Sequence, residues 1–141
     1  MLEVMRLVTK LYIILWDDRT MNRKELIEYI QKTYAVIPEY LWSKYPNYAV
    51  FRHHNHSKWF AVIMDVAENK LFDTGKNNKV DVINLKVPVP LVGALRLKKA
   101  VYPAYHMNKE HWISIRLDTD FDDAELKSLI SESYELTQWK A

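Results

Sequence analysis

Val80-Asp81-Val82-Ile83-Asn84-Leu85-Lys86 alternates in polarity and is rich in β-branched side chains, which predicts a strand. Pro88 and Pro90 follow at the front of a helix that runs to about Lys99, a position where proline is tolerated. Val101-Tyr102-Pro103-Ala104-Tyr105-His106 is extended, Met107 to Glu110 reads as a turn, and Trp112-Ile113-Ser114-Ile115-Arg116-Leu117 alternates again as a strand. Asp118 to Asp123 supplies an acidic cap for a last helix from Ala124 to about Trp139, with Leu126, Leu129, Ile130 and Tyr134 on one face.

Upstream of residue 80 the same reading continues. Residues 22–35 form a first helix, capped by Asn22 or Thr20, with Glu25 placed to complete a capping box and Leu26, Ile27, Ile30 and Tyr34 on one face. Tyr48 to His53 and Lys58 to Val66 pair as a hairpin around His54-Asn55-His56-Ser57. Glu68 to Lys79 is a polar loop with room for a short strand at Leu71-Phe72. The order is helix, three strands, helix, two strands, helix. Short connections favour antiparallel pairing, and helices on one sheet face give an α+β two-layer sandwich.

The chain has 141 residues, enough for one domain with a sizeable core. It has no cysteine, which excludes disulfides, thiolate metal sites and a cysteine nucleophile and suits a reducing cytoplasm. Only Gly75 and Gly93 are glycine, too few and too far apart for a Gly-rich phosphate loop. The apolar run Leu11-Tyr12-Ile13-Ile14-Leu15-Trp16 is far shorter than the ~20 residues of a membrane helix and is followed by Asp17-Asp18 rather than a cleavage site. Residues 1–20 read as an N-terminal extension and 21–141 as the domain. The net charge is only +2, but it is unevenly spread. Residues 70–116 carry nine Lys/Arg against three Asp/Glu, a balance of +6, and residues 117–141 carry two against seven, a balance of −5. Such segregation can place a positive face on one side of a fold.

Ile83-Asn84-Leu85-Lys86, a proline, a short helix, then His106-Met107-Asn108-Lys109-Glu110-His111-Trp112, a strand and an acidic-capped helix resemble the signature of the MmcQ/YjbR family. The similarity covers residues 21–140, by motif after residue 80 and by order of elements before it. The resemblance implies the same fold derived above. It also implies a bacterial DNA-binding role, because the family's sheet and projecting hairpins are likened to a double-wing DNA-binding module. Fold likeness of that kind does not fix function.

The residues themselves leave several readings open. Asn108 suits a left-handed turn, Trp112 is expected in the sheet–helix core, and His106 and His111 can brace the turn by hydrogen bonds. Alternatively His106, Asn108, Lys109 and His111 line an anion-binding surface for DNA phosphate or a small phosphorylated ligand; two histidines alone make a poor metal site. Lys86, with exposed N–H groups at Val89 or Leu91, can hold a phosphate. Arg52, His54, His56 and Lys58 can meet a phosphate backbone from the hairpin tip, or simply form a polar turn. No residue set forms a convincing catalytic constellation, and no cofactor is implied. The expectation is a monomeric cytoplasmic DNA-binding protein with weak sequence preference, contacting phosphates through Lys86, Lys98, Lys99, Lys109 and the hairpin. A chaperone-like protein-interaction module, with an apolar patch around Leu11–Trp16, Trp42 and Trp59, and a ligand or enzyme pocket at His106 and His111 are the alternatives.

Overall fold

The computed structural model describes residues 19–73 and 75–138, and within them the expected order of elements is present. Helix α1 spans Arg23–Tyr34. Asn22 caps it as the sequence predicts: its side chain accepts from the Glu25 N–H at 2.9 Å, and the Glu25 carboxylate accepts from the Asn22 N–H at 3.2 Å. Strands β1 (Ala49–Arg52), β2 (Trp59–Ala67) and β3 (Lys79–Lys86) follow, then α2 (Val89–Leu95), β4 (Val101–Pro103), β5 (Trp112–Arg116) and α3 (Asp123–Leu136). The sheet is antiparallel throughout, in the order β1-β2-β3-β5-β4. The last hairpin is therefore added in reverse, so that β5 rather than β4 pairs with β3.

Alternation sorts the strands into two faces. Ala49, Phe51, Ile63, Ile83, Leu85, Ile113 and Ile115 pack against Leu26 and Ile30 of α1, Val92 of α2, and Leu126 and Ile130 of α3, all buried. This is the α+β two-layer core. The opposite face carries Tyr48, Val50, Val62, Met64, Val66 and Val82 in a second, smaller cluster with Trp59, Tyr105 and Met107 against it. That face has loops over it rather than helices.

Several elements differ from the sequence reading. Helix α2 stops at Leu95, because the Leu97 and Lys98 N–H groups bond three residues back instead of four. Leu71-Phe72 is not a strand; a 3₁₀ turn at Glu68–Lys70 precedes it, and Phe72 stacks on Tyr102 with ring centres 5.7 Å apart. Gly75 lets this loop fold tightly, since a Cβ there would lie 2.6 Å from the Glu68 carbonyl group. Trp112 is half-buried and outside the helix-side core: Ile113 and Ile115 take that side, which turns Trp112 to the other face. Thr20 is buried and joins the domain, donating its N–H to the Thr119 carbonyl at 3.0 Å and accepting the Thr119 N–H at 3.1 Å. Leu11–Trp16 and the end of the last predicted helix at Trp139 lie outside the described residues.

One irregularity matters more than these. Phe51 pairs with Ala61 and Arg52 with Trp59, so Phe60 is an extra residue in β2, a β-bulge. Phe60 and Ala61 both face the helices, and Trp59 and Val62 both belong to the opposite cluster. The break in the ladder is closed from below by Ser133 of α3, which is fully buried. Its hydroxyl donates to the Phe60 carbonyl at 2.6 Å and accepts the Lys86 N–H at 2.9 Å. Replacing Ser133 by Ala strands both backbone groups in the core. The expected loss is about 1–3 kcal/mol, read as a fall in the urea midpoint.

His53 holds the adjacent corner. It is 4 % exposed, and its Nε2 lies 2.8 Å from the Thr137 hydroxyl. That hydroxyl donates to the Ser133 carbonyl at 2.7 Å, so Nε2 carries the proton and donates. Burial, followed by His56 and then by Lys58 and His54, holds the imidazole pKa below the ordinary histidine value, opposed in part by a hydrogen bond with the Tyr134 backbone. The unfolded chain takes up this proton near pH 6.5 and the folded one only at lower pH. The contribution of neutral His53 is therefore complete above about pH 6.5 and is lost as pH falls from there toward the folded pKa. Thermal unfolding of wild type should decline more steeply below pH 6.5 than that of His53→Gln.

Candidate nucleic-acid interface

Antiparallel connectivity brings the end of β1, the start of β2, the end of β3 and the start of β5 to one end of the sheet. Arg52 directly opposes Trp59, and Lys86 directly opposes Trp112. All four point to the helix-free face: Arg52, Lys86 and Trp112 by alternation from Phe51, Leu85 and Ile113, and Trp59 because of the bulge. The result is a row of cation, indole, cation, indole across four strands. The Arg52 guanidinium sits 5.9 Å from the centre of the Trp59 ring and pairs with Glu39 at 2.6 Å. Each of the four side chains is half-buried, so each keeps a surface in solvent.

The remaining sequence-predicted residues surround this row. Lys58 is exposed immediately before Trp59. Lys109 is exposed in the turn leading into β5, and the His111 carbonyl in that turn accepts the Val87 N–H at 2.9 Å. Asn108 shapes the same turn: its side chain accepts the Glu110 N–H at 2.8 Å, and its carbonyl accepts the Trp112 N–H at 3.0 Å. Among the described residues, Lys58, Lys86 and Lys109 have no carboxylate at ion-pair distance.

Three other cations of the basic segment are already matched. Lys98 pairs with Glu125 at 2.6 Å, Arg116 with Glu68 at 2.9 Å and Lys79 with Asp65 at 3.8 Å. Lys98 is therefore already paired, as Arg52 is with Glu39. The helix-start phosphate site at Lys86 fares no better: α2 has only seven residues, and the Leu91 N–H donates to the Pro88 carbonyl at 2.9 Å. The hairpin tip is also more engaged than expected. His53 is turned inward, and His54 Nε2 donates to the Ala35 carbonyl.

The segment 104–111 forms a strap back across the helix-free face. Two fully buried polar side chains fix it, Asn84 on β3 and Ser114 on β5, which oppose each other in the sheet. The Asn84 amide donates to the Tyr105 carbonyl at 2.8 Å, Ser114 Oγ accepts the Tyr105 N–H at 3.0 Å, and Ser114 Oγ donates to Asn84 Oδ1 at 2.5 Å. Both backbone groups of Tyr105 are thus held by the sheet. The next residue, His106, takes the left-handed conformation expected of Asn108, with φ 61°. Its ring packs on Tyr105 at 3.9 Å between centres. His106 and Met107 then meet Trp42, Tyr45, Tyr48 and Trp59 over Val62 and Met64, enclosing a pocket of about 290 Å³. His111 is not part of this lining, so the two histidines do not share this pocket.

Ser114, Tyr45 and Tyr48 carry no motif that singles them out in the sequence, and Asn84 is marked only by its place in the family-like stretch 83–86. Trp42 and Trp59 were legible only as candidates for an apolar patch. Among the described residues no helix is long and apolar enough to cross a membrane.

Comparison with known proteins matches residues 31–136 to a family model described as YjbR. A Bacillus subtilis protein named as uncharacterized, YyaQ, is 39 % identical over 118 residues, covering 84 % of this chain and 99 % of that protein. A crystal structure from Pseudomonas syringae is 48 % identical with a TM-score of 0.81, covering 84 % of this chain and all of that one. A Deinococcus radiodurans structure, 21 % identical with a TM-score of 0.62 over 85 % of this chain and 79 % of that one, shares the fold.

Asn84→Ala removes the strap's anchor and leaves Tyr105 and Ser114 short of partners. A loss of about 1–3 kcal/mol in chemical denaturation is expected. Faster amide exchange at Tyr105 should accompany it, with little change at Leu26 or Ile30 in the helix-side core.

Proposed function

The chain belongs to the YjbR family, and from that premise we propose that it binds nucleic acid, with the helix-free end of its sheet as a platform for a single strand. The observation that carries this reading is the row Arg52, Trp59, Lys86, Trp112. Single strands are held by cations that follow the phosphates and by aromatic rings on which bases stack, with little dependence on sequence. The row supplies both groups in alternation, flanked by Lys58, Lys109 and His111. The DNA-binding role implied by the family resemblance agrees with it in ligand chemistry.

The form of the ligand follows from what surrounds the row. Duplex recognition uses a helix or ribbon that enters a groove. Here the helices pack on the other side of the sheet, and His53 and His54 at the hairpin tip are already engaged with Thr137 and Ala35. A double-wing grip on a duplex draws little support from that tip. Stacking also needs base faces not already stacked on neighbouring base pairs, which a single strand provides and a duplex interior does not. The reading involves no chemical step and assigns none.

The test is fluorescence anisotropy with a labelled single strand and the matching duplex across a salt series. The single strand should bind more tightly, with affinity falling as salt rises. Lys86→Ala and Lys109→Ala should flatten the salt dependence, each by a slope of about 0.7. Trp112→Ala should cost about 1–3 kcal/mol and leave the slope unchanged. Absence of binding at low salt, or equal affinity in all variants, overturns the proposal.

A further inference from the structure

The pocket beneath the strap is an aromatic box with its own chemistry. Trp42 stands nearly perpendicular to Trp59, at 82° with ring centres 5.7 Å apart, and to Tyr48, at 78° and 5.9 Å. Tyr45 stacks on Tyr48 at 4.7 Å and 14°. Val62 and Met64 form the floor, and His106 and Met107 form the strap side. Trp42 and Tyr45 remain 36 % and 37 % exposed, a large aromatic area left open to water. A volume of about 290 Å³ lies at the small end of the ~300–1,000 Å³ usual for small-molecule sites. It suits one planar ring system and little more.

Boxes of this geometry can hold cations against ring faces. The charges around this one argue against that. Lys44 Nζ already lies 5.7 Å from the Tyr45 ring centre and Arg52 5.9 Å from that of Trp59. No carboxylate lines the pocket. The two acids nearby are engaged: Glu39 pairs with Arg52, and Asp65 accepts from Asn47 at 3.0 Å and pairs with Lys79. An incoming cation would meet the Lys44 charge, and Arg52 is already paired with Glu39. An incoming anion would find Lys44 beside the Tyr45 wall. The pocket therefore favours a flat ring for its walls and a negative group for its edge.

Polar groups for orientation are also in place. Burial, with Tyr105, Tyr45 and Asp65 adding to it, pushes the Tyr48 phenol up to about 12, so its hydroxyl remains a proton donor at any working pH. His106 is exposed at the mouth, held there by the left-handed turn that Asn84 and Ser114 fix. We infer that this pocket binds a single nucleobase bearing a phosphate, either a free nucleoside monophosphate or one base swung out of a bound strand. The strand source rests on the single-strand reading above, to which the pocket connects through the shared Trp59; the free-nucleotide source does not.

The test is an NMR titration of the full chain with thymidine monophosphate, thymidine, inorganic phosphate and a short oligothymidylate. Wild type, Trp42→Ala, Tyr45→Ala and Lys86→Ala are compared. Trp42 and Tyr45 sit outside the buried core, and the amide spectrum of each variant reports its fold. The monophosphate should shift the Met107 methyl and His106 ring signals. Thymidine should do so more weakly, and phosphate alone should leave Met107 unmoved. Each pocket variant should lose about tenfold or more in monophosphate affinity, whereas Lys86→Ala should retain it. A parallel loss of oligothymidylate affinity in the pocket variants identifies a strand as the source; its absence identifies the free nucleotide. If the monophosphate leaves Met107 and His106 unshifted, or both pocket variants bind it like wild type, the inference is overturned. Should oligothymidylate still bind in a Lys86-dependent way, the pocket reading alone has failed. Should the monophosphate bind at the pocket while oligothymidylate does not, the platform reading has failed instead.

Discussion

The helix-free face of this protein depends on one extra residue. Phe60 bulges out of register in β2, and the consequence is that Trp59 turns away from the helices while Phe60 turns toward them. A regular strand would send position 59 into the helix-side core and leave the sheet end without its central indole. Bulges disrupt the ladder and leave backbone groups seeking partners. Ser133 meets that need with a single hydroxyl, joining Phe60 on β2 to Lys86 on β3. The same contact seats α3 beneath the sheet end. Helix packing, strand irregularity and the exposed row of Arg52, Trp59, Lys86 and Trp112 are thus coupled through one buried side chain.

A second buried polar device acts on the other side of the sheet. Asn84 and Ser114 occupy the centre of β3 and β5, where an apolar pair would pack at no desolvation cost. Every polar atom they bury is matched, and the partners are the two backbone groups of Tyr105. What the sheet gains is a fixed position for the strap. The strap in turn closes the box around Trp42, Tyr45, Tyr48 and Trp59. Loops above a sheet are ordinarily its most mobile parts; this one is tied near its start, at Tyr105, to β3 and β5.

Much of the fold was legible in the sequence because its signals are local. The Asn22–Glu25 capping box, the alternation of residues 80–86 and 112–116, and the helical faces of Leu26, Ile30, Leu126 and Ile130 all rest on spacing within one element. The site was legible only in part. Lys58, Lys86 and Lys109 were picked out by charge, but Lys98 looked equivalent until α3 brought Glu125 beside it. Trp112 is expected in the core from the sequence, although its neighbours Ile113 and Ile115 occupy that face. The bulge carries no glycine or proline to announce it. The left-handed residue is His106 rather than Asn108 because the strap is fixed by Asn84 and Ser114, contacts across 21 and 9 residues of chain that no local pattern encodes.

Unpaired lysines also stand at the sheet end that carries Trp59 and Trp112. Arg23, Lys79, Lys98 and Arg116 each face a carboxylate, whereas among the described residues Lys58, Lys86 and Lys109 beside the indoles do not. Electrostatics and stacking surface therefore converge on one sheet end, and the account stands on that convergence. The most direct measurement is a two-dimensional NMR map of the tryptophan indole and backbone amide signals during titration with an unlabelled single-stranded oligonucleotide. The account predicts that the Trp59 and Trp112 indoles and the amides of Lys58, Lys86 and Lys109 shift together, while those of α1 and α2 stay in place. Shifts confined to the helical face, or no shifts at low salt, would contradict it.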